Sequence, residues 1–249
     1  MSPSKPNLSP QRQAQLRAFL ADLGLDLNAP GAPKAAELAP IEEALTHSSA
    51  GRAVNHERLE FLGDAVLRLA ASEFLQREQP QLPVGRHSAL RAQLVSDRWL
   101  AELGQRCGLQ QVWHLGAMAA GDAAGRATVY AELSEALIGA LYEAWGGAQG
   151  SLAPVHAWLT PHWRRSVALY LAEPERDNWK SALQEWTQGQ GLGLPSYSAR
   201  ELSQLHGDPR RFCCQVKIIS GPTAEGWGGS RRQAEQQAAR ALLAVLRSG

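Results

Sequence analysis

The sequence predicts an all-α domain followed by a small α+β domain of order α-β-β-β-α, and three observations predict it. Apolar residues recur at spacings of three and four from Gln11 to about Leu169, the period of a helix with one buried face. The pattern breaks at Ala172-Glu173-Pro174-Glu175-Arg176-Asp177, which is charged, contains proline and lacks large apolar residues. Beyond it, one helical stretch, two or three strand-like stretches and a closing helix fit between residues 178 and 249. The chain thus divides into a frayed N-terminus (1–10), a helical domain (11–171), a linker (172–177) and a compact module (178–249).

In the helical domain, Leu59, Leu62, Val66 and Leu69 mark one apolar face, and Leu90, Leu94 and then Leu133, Leu137, Leu141 repeat the pattern. Pro80, Pro83 and Gly85 break the chain between two helices, and the Gly/Ala-rich run Gly116–Gly125 reads as a loop. In the module, the helix is expected over Trp179–Gly189 and strands over Tyr197–Leu205, Phe212–Ile219 and, weakly, Glu225–Trp227, before a helix over Arg231–Leu246.

Hydrophobic residues make up 44% of the 249, enough for a buried core. The N-terminus has no apolar stretch of a secretory signal, and no run approaches the ~20 apolar residues of a membrane span, so a cytoplasmic protein without membrane partner is expected. Cys107, Cys213 and Cys214 fit no zinc or disulfide spacing and read as buried thiols. Net charge is +1; residues 173–249 carry ten Lys/Arg and eight Asp/Glu, too slight an excess to name a partner. Local clusters carry that argument instead.

The first cluster is acidic. In Asn55-His56-Glu57-Arg58-Leu59-Glu60-Phe61-Leu62-Gly63-Asp64, Asn55 can cap a helix that then places Glu57, Glu60 and Asp64 at i, i+3 and i+7, on one face. Glu132 and Glu135 form a second pair on an otherwise apolar helix. Repulsion among such carboxylates is relieved by a divalent cation, and Mg²⁺ takes oxygen ligands of this kind; Mn²⁺ suits the same set. Such a cation can activate water and stabilise a leaving oxygen in phosphodiester hydrolysis. Without one, the same acids would simply be a solvated face. Gly63 costs a helix roughly 1 kcal/mol relative to Ala, which points to close approach by a ligand or another helix. His47 and His56 are nearby acid/base candidates, assigned here to structure. The second cluster is basic: Ser230 caps a helix whose first turn holds Arg231 and Arg232, where free amides and the helix dipole already attract phosphate. Ala234, Ala238, Ala241, Leu242 and Val245 form its apolar face.

His56-Glu57-Arg58-Leu59-Glu60-Phe61-Leu62-Gly63-Asp64-Ala65-Val66-Leu67 closely resembles the ribonuclease III signature N-E-R-L-E-F-L-G-D-A-V-L, with His56 for Asn as the single mismatch. Leu45-Thr46-His47-Ser48-Ser49 is similar to the family's L-T-H-x-S, and residues 131–139 to its A-D-x-x-E-A-L-I-G. The module 178–249 resembles a double-stranded-RNA-binding domain. The resemblance implies an all-helical catalytic domain that hydrolyses double-stranded RNA with Mg²⁺. It further implies a homodimer, 5′-phosphate ends with short 3′ overhangs, a role in rRNA and mRNA processing, and no small-molecule cofactor. Carried over by position, Glu57, Asp64 and Glu135 match the family's metal-site acids and Glu60 its second signature glutamate; Asp64 and Glu135 stand as the catalytic acids. Glu132 replaces the usual Asp, and Val84 stands where the family carries a Glu before Gly85. In the module, Gln184 and Glu185 would face one minor groove, the loop at His206 the next, and Arg231 and Arg232 the phosphates between them. Glu235 occupies a position that is often Lys. The two departures in the catalytic domain support an alternative, a non-cleaving double-stranded-RNA-binding protein with a degenerate nuclease domain. The four retained acids oppose it.

Overall fold

The computed structural model describes residues 8–28, 32–34, 37–147, 152–172, 178–205, 207–219 and 221–248. They fall into two compact units that divide between Ala168 and Leu169. The linker expected at 172–177 lies outside the described residues apart from Ala172, and so does His206.

The first unit is helical: α1 (Pro10–Asp22), α2 (Ala39–Ala44), α3 (Glu57–Glu78), α4 (Val84–Leu94), α5 (Asp97–Arg106), α6 (Ala117–Gly121), α7 (Arg126–Ala144) and most of α8 (Ala153–Ala172), whose last turn lies beyond the division. Helix α1 begins inside the stretch expected to fray, because Ser9 Oγ accepts from the Arg12 N–H (3.2 Å) and Pro10 occupies the first turn, where no amide partner is needed. The N-cap of α3 is His56 rather than Asn55; Asn55 stands one residue earlier, its Oδ1 accepting from the Glu57 N–H at 3.1 Å. Helix α7 is the hub. Leu133, Leu137, Ile138 and Leu141 are fully buried, and α2, α3 and α5 all pack on it.

Two glycines fix how closely α3 and α7 cross. A Cβ on Gly63 would stand 2.0 Å from the Glu135 carbonyl oxygen, and one on Gly139 would stand 2.2 Å from that of Leu59. Backbone therefore meets backbone, which is the close approach Gly63 announced, made by a helix. At the α5–α7 crossing, Gly104 makes room for buried Ser134, whose hydroxyl donates to the Leu100 carbonyl at 3.1 Å.

Three expectations are corrected. Leu69 is 54% exposed, because α3 buries the Leu59, Val66, Ala70 face rather than the one running to Leu69. Gly85 lies within α4, which starts directly after Pro83, and Val84 is exposed in its first turn. The Gly116–Gly125 run contains a short helix, α6, although none of its residues is buried. The three cysteines are free thiols: Cys213 and Cys214 are buried, while Cys107 is half-buried and accepts from Trp158 Nε1 at 3.5 Å.

In the second unit, α9 (Trp179–Gly189) and α10 (Arg231–Ser248) flank an antiparallel sheet of β1 (Ser196–Glu201), β2 (Phe212–Lys217) and β3 (Thr223–Gly228), in the order β1-β2-β3. The first two strands are shorter than predicted. Pairing runs out at Glu201 opposite Phe212, and the chain then turns through the loop. The third strand is longer and as regular as the others. Helix α10 lies directly on β3: a Cβ on Gly226 would stand 2.1 Å from the Ala238 amide. Ala234, Ala238 and Leu242 are buried as expected, whereas Val245 is exposed and Ala239 and Leu243 take the core positions.

Candidate metal centre and nucleic-acid interface

The acids of α3 and α7 converge because the helices cross at Gly63, between Glu60 and Asp64, and at Gly139, one turn after Glu135. Glu60, Glu132 and Glu135 line a cleft of about 250 Å³ together with Asp97 from the first turn of α5. Asp64 lies next to Glu135, outside that lining. Glu57 is exposed, one turn before Glu60.

Electrostatics shows what the cluster lacks. Burial, with Asp64 and Glu60 close by, pushes the Glu135 carboxyl up to about 7. Glu60 is raised too, by burial first and then by Glu132, Glu57 and Asp97. Asp64 is lowered, chiefly because Arg68 Nε donates to it at 2.7 Å. Crowded like charges in a half-buried cleft thus disfavour the ionised form of Glu135, a cost that a positive charge would remove. A half-buried set of hard oxygen donors that retains a proton near neutrality is a fitting seat for a divalent cation.

The frame around the cleft is ionic as well. Arg58 Nε and Nη2 donate to Glu43 (2.8 and 2.7 Å), and Nη1 donates to Glu143 (2.6 Å), tying α3 to α2 and α7. These bonds raise the already high Arg58 pKa further. Behind the cleft, His47 Nε2 lies 3.1 Å from Glu132 Oε2, and His56 Nε2 lies 3.3 Å from Glu60 Oε2. Burial holds His56 below the ordinary imidazole range, with His47 adding to the effect. His47 hydrogen-bonds a carboxylate, and His56 lies buried against two.

Asp97 was missed by sequence reasoning. The available signal was Ser96-Asp97 ahead of Trp99, Leu100 and Leu103, a capping pattern confirmed by Ser96 Oγ accepting from the Trp99 N–H at 3.3 Å. What the pattern could not show was which other acids that helix start would face.

In the second unit, Gln184 and Glu185 are exposed on α9, and Arg231 and Arg232 are exposed in the first turn of α10. Ser230 caps that helix, its Oγ accepting from the Gln233 N–H at 3.2 Å. Glu235 accepts from Lys180 Nζ at 2.6 Å and from Arg231 Nε at 3.1 Å, so it partly neutralises the basic helix start.

An acid-lined cleft in a helical unit, followed by a sheet-and-helix module with a basic edge, defines a metal-dependent nuclease with its own nucleic-acid-binding domain. Comparison with known proteins narrows this. The Ribonuclease-III-like family model matches residues 39–159, and the Double-stranded RNA binding motif matches residues 179–246. Ribonuclease 3 of Prochlorococcus marinus is 50% identical over 206 residues, covering 83% of this chain and 81% of that one. Ribonuclease 3 of Gloeobacter violaceus is 40% identical over 245 residues, 97% of this chain and 95% of that one. A protein of Nostoc sp. named Ribonuclease 3 2 is 39% identical over 237 residues, 95% and 94% of the two chains. The chain belongs to the ribonuclease III family. It is an endoribonuclease for double-stranded RNA, and the non-cleaving alternative gains no support. The family is metal-dependent. Among the described residues, no helix is long and apolar enough to cross a membrane.

Proposed function

We propose that Glu60, Asp64, Glu132 and Glu135, with Glu57 at the exposed rim, hold Mg²⁺, and that Mn²⁺ can take its place. The observation that carries this reading is the convergence of Glu60, Glu132 and Glu135 on one cleft beside the Gly63–Gly139 crossing, with Asp64 next to Glu135. When bound, the cation supplies positive charge to the phosphodiester and makes water a nucleophile at neutral pH. The chain's own part is to arrange and hold. Arg68 fixes the Asp64 carboxylate, Glu135 gives up its proton as the site loads, and the Gly63–Gly139 crossing sets the spacing of the two acidic pairs. No side-chain nucleophile is needed. The substrates of this reading are cytoplasmic precursors of rRNA and mRNA.

The products follow from two centres acting on opposite strands. Phe61, on the signature helix, is 86% exposed. A homodimer burying it across a two-fold axis would set two clefts against one duplex. Mapping both cut strands of a labelled duplex is expected to show 5′-phosphates and short 3′ overhangs; blunt ends or 3′-phosphates would refute the reading. Phe61→Asp is expected to shift the chain from dimer to monomer in sedimentation at micromolar concentration, and a parent-like dimer would exclude Phe61 from the interface.

For the module, we propose that Gln184 and Glu185 meet one minor groove, the loop at His206 the next, and Arg231 and Arg232 the intervening phosphates. Replacing both arginines with Ala is expected to weaken binding of all duplex sequences alike and to lower the salt slope by about one for each phosphate no longer neutralised. A weakening confined to some sequences would contradict shape readout.

A further inference from the structure

Glu132 is gripped from behind. The rings of His47 and His56 stack with centroids 4.8 Å apart and planes at 16°. Both present Nε2 to Glu132 Oε2, at 3.1 and 3.6 Å, and His56 Nε2 also lies 3.3 Å from Glu60 Oε2. Two imidazoles and a carboxylate could suit a borderline cation such as Zn²⁺, but the ring protons argue otherwise. His47 Nδ1 accepts from the Ser49 N–H at 3.1 Å, with the Ser49 hydroxyl 2.8 Å away, so its proton sits on Nε2 and points at Glu132. His56 Nε2 lies between two carboxylate oxygens, where a lone pair would be repelled and an N–H attracted. The rings are donors here, not lone pairs awaiting a metal.

We propose that His47 is a positioning residue that fixes Glu132 for the cleft, with His56 stacked behind it, and that His47 and Glu132 act as one pair. This rests on the reading of Glu132 as a cation ligand. Glutamate is one methylene longer than aspartate and loses more rotamer freedom when it is immobilised. The His47 N–H takes Oε2 and holds that longer arm still, which leaves Oε1 for the cleft that Glu132 lines. His56 is 2% exposed, so its ring is fixed by packing and passes that rigidity on.

The test measures Mn²⁺ affinity of the metal-free full chain by the resonance signal of free Mn²⁺, alongside thermal melting and cleavage. His47→Asn keeps an acceptor for the Ser49 N–H where Nδ1 stands and removes the donor to Glu132; His47→Gln keeps a donor where Nε2 stands. The asparagine variant is expected to bind Mn²⁺ about tenfold more weakly, the usual cost of losing a partner behind a metal ligand, and the glutamine variant to stay near the parent. Glu132→Asp draws the carboxylate back from the same donor and is expected to weaken binding and slow cleavage by up to about tenfold. Adding His47→Asn to it is expected to cost nothing further, since that bond is already broken. Parent-like affinity in His47→Asn, or two losses that multiply, would overturn the pairing. Should the asparagine variant not fold, His47→Ala with and without Glu132→Asp decides the same point: a loss unchanged by the second substitution supports the pair, and a further multiplied loss refutes it. Glu132→Ala tests the reading underneath. A much larger loss of binding and cleavage sustains Glu132 as a ligand, and parent-like behaviour removes it from the site altogether.

Discussion

Glu135→Gln is expected to abolish cleavage of duplex RNA and, at pH 8, to raise the melting temperature of the metal-free chain. The two effects share one cause. Glu135 has its carboxyl raised from 4.5 to about 7 by burial and by Asp64 and Glu60. A carboxyl raised on folding stabilises the fold fully below its unfolded value near 4.5, and loses that contribution as pH rises through about 7. At pH 8 the metal-free chain therefore carries an unrelieved charge, which glutamine removes; at pH 5 the two chains are expected to melt alike. Cleavage goes the other way, because the cation loses a charged ligand. Several kcal/mol of transition-state stabilisation at about 1.4 kcal/mol per tenfold gives a rate loss of at least about a thousandfold. Duplex binding is expected to persist, since Arg231 and Arg232 are untouched. Parent-like cutting by this variant would remove Glu135 from the site. Mg²⁺ is likewise expected to stabilise the parent more at pH 8 than at pH 5, where the proton competes with it.

Gly63→Ala is expected to be among the most destabilising single-methyl additions in the chain. Helix propensity alone favours Ala by about 1 kcal/mol. Against it stands a Cβ 2.0 Å from the Glu135 carbonyl oxygen, a backbone atom that cannot swing aside. The helices would have to separate at the point that sets the spacing of Glu60 and Asp64 from Glu132 and Glu135. A net loss of about 3 kcal/mol or more in urea unfolding is expected, with a fall in cation affinity beyond it. Gly85→Ala in α4 is the control: nothing lies within 4 Å of its added Cβ, so stability should stay level or rise slightly. A neutral result at Gly63 would show that the helices do not cross there.

What the sequence disclosed about this site was local. Glu57, Glu60 and Asp64 share a face because of helical spacing, Asn55 and Ser230 announce helix starts, and Gly63 announces a close approach, all within one element. What it withheld was long-range. Asp97 joins the cleft only because α5 packs on α7, and the His47–His56–Glu132 cluster joins residues 85 positions apart in the chain. The error at Leu69 is of the same kind: periodicity marked a face, but packing against α7 selected a neighbouring one. In the module, the third strand looked weak because its two glycines, Gly226 and Gly228, lower strand propensity. They are there because α10 lies against that backbone.

The central claim is that the acids of α3 and α7 hold a cation that cuts duplex RNA. The direct measurement is cleavage of one long duplex by the full chain in Mg²⁺, in EDTA and in EDTA followed by excess Mg²⁺, with the separated single strands as controls. Cutting of the duplex in Mg²⁺, its loss in EDTA, its return with added Mg²⁺ and intact single strands are the expected results. A duplex that is bound but stays intact at every Mg²⁺ and Mn²⁺ concentration, or that is cut equally well in EDTA, would contradict the claim.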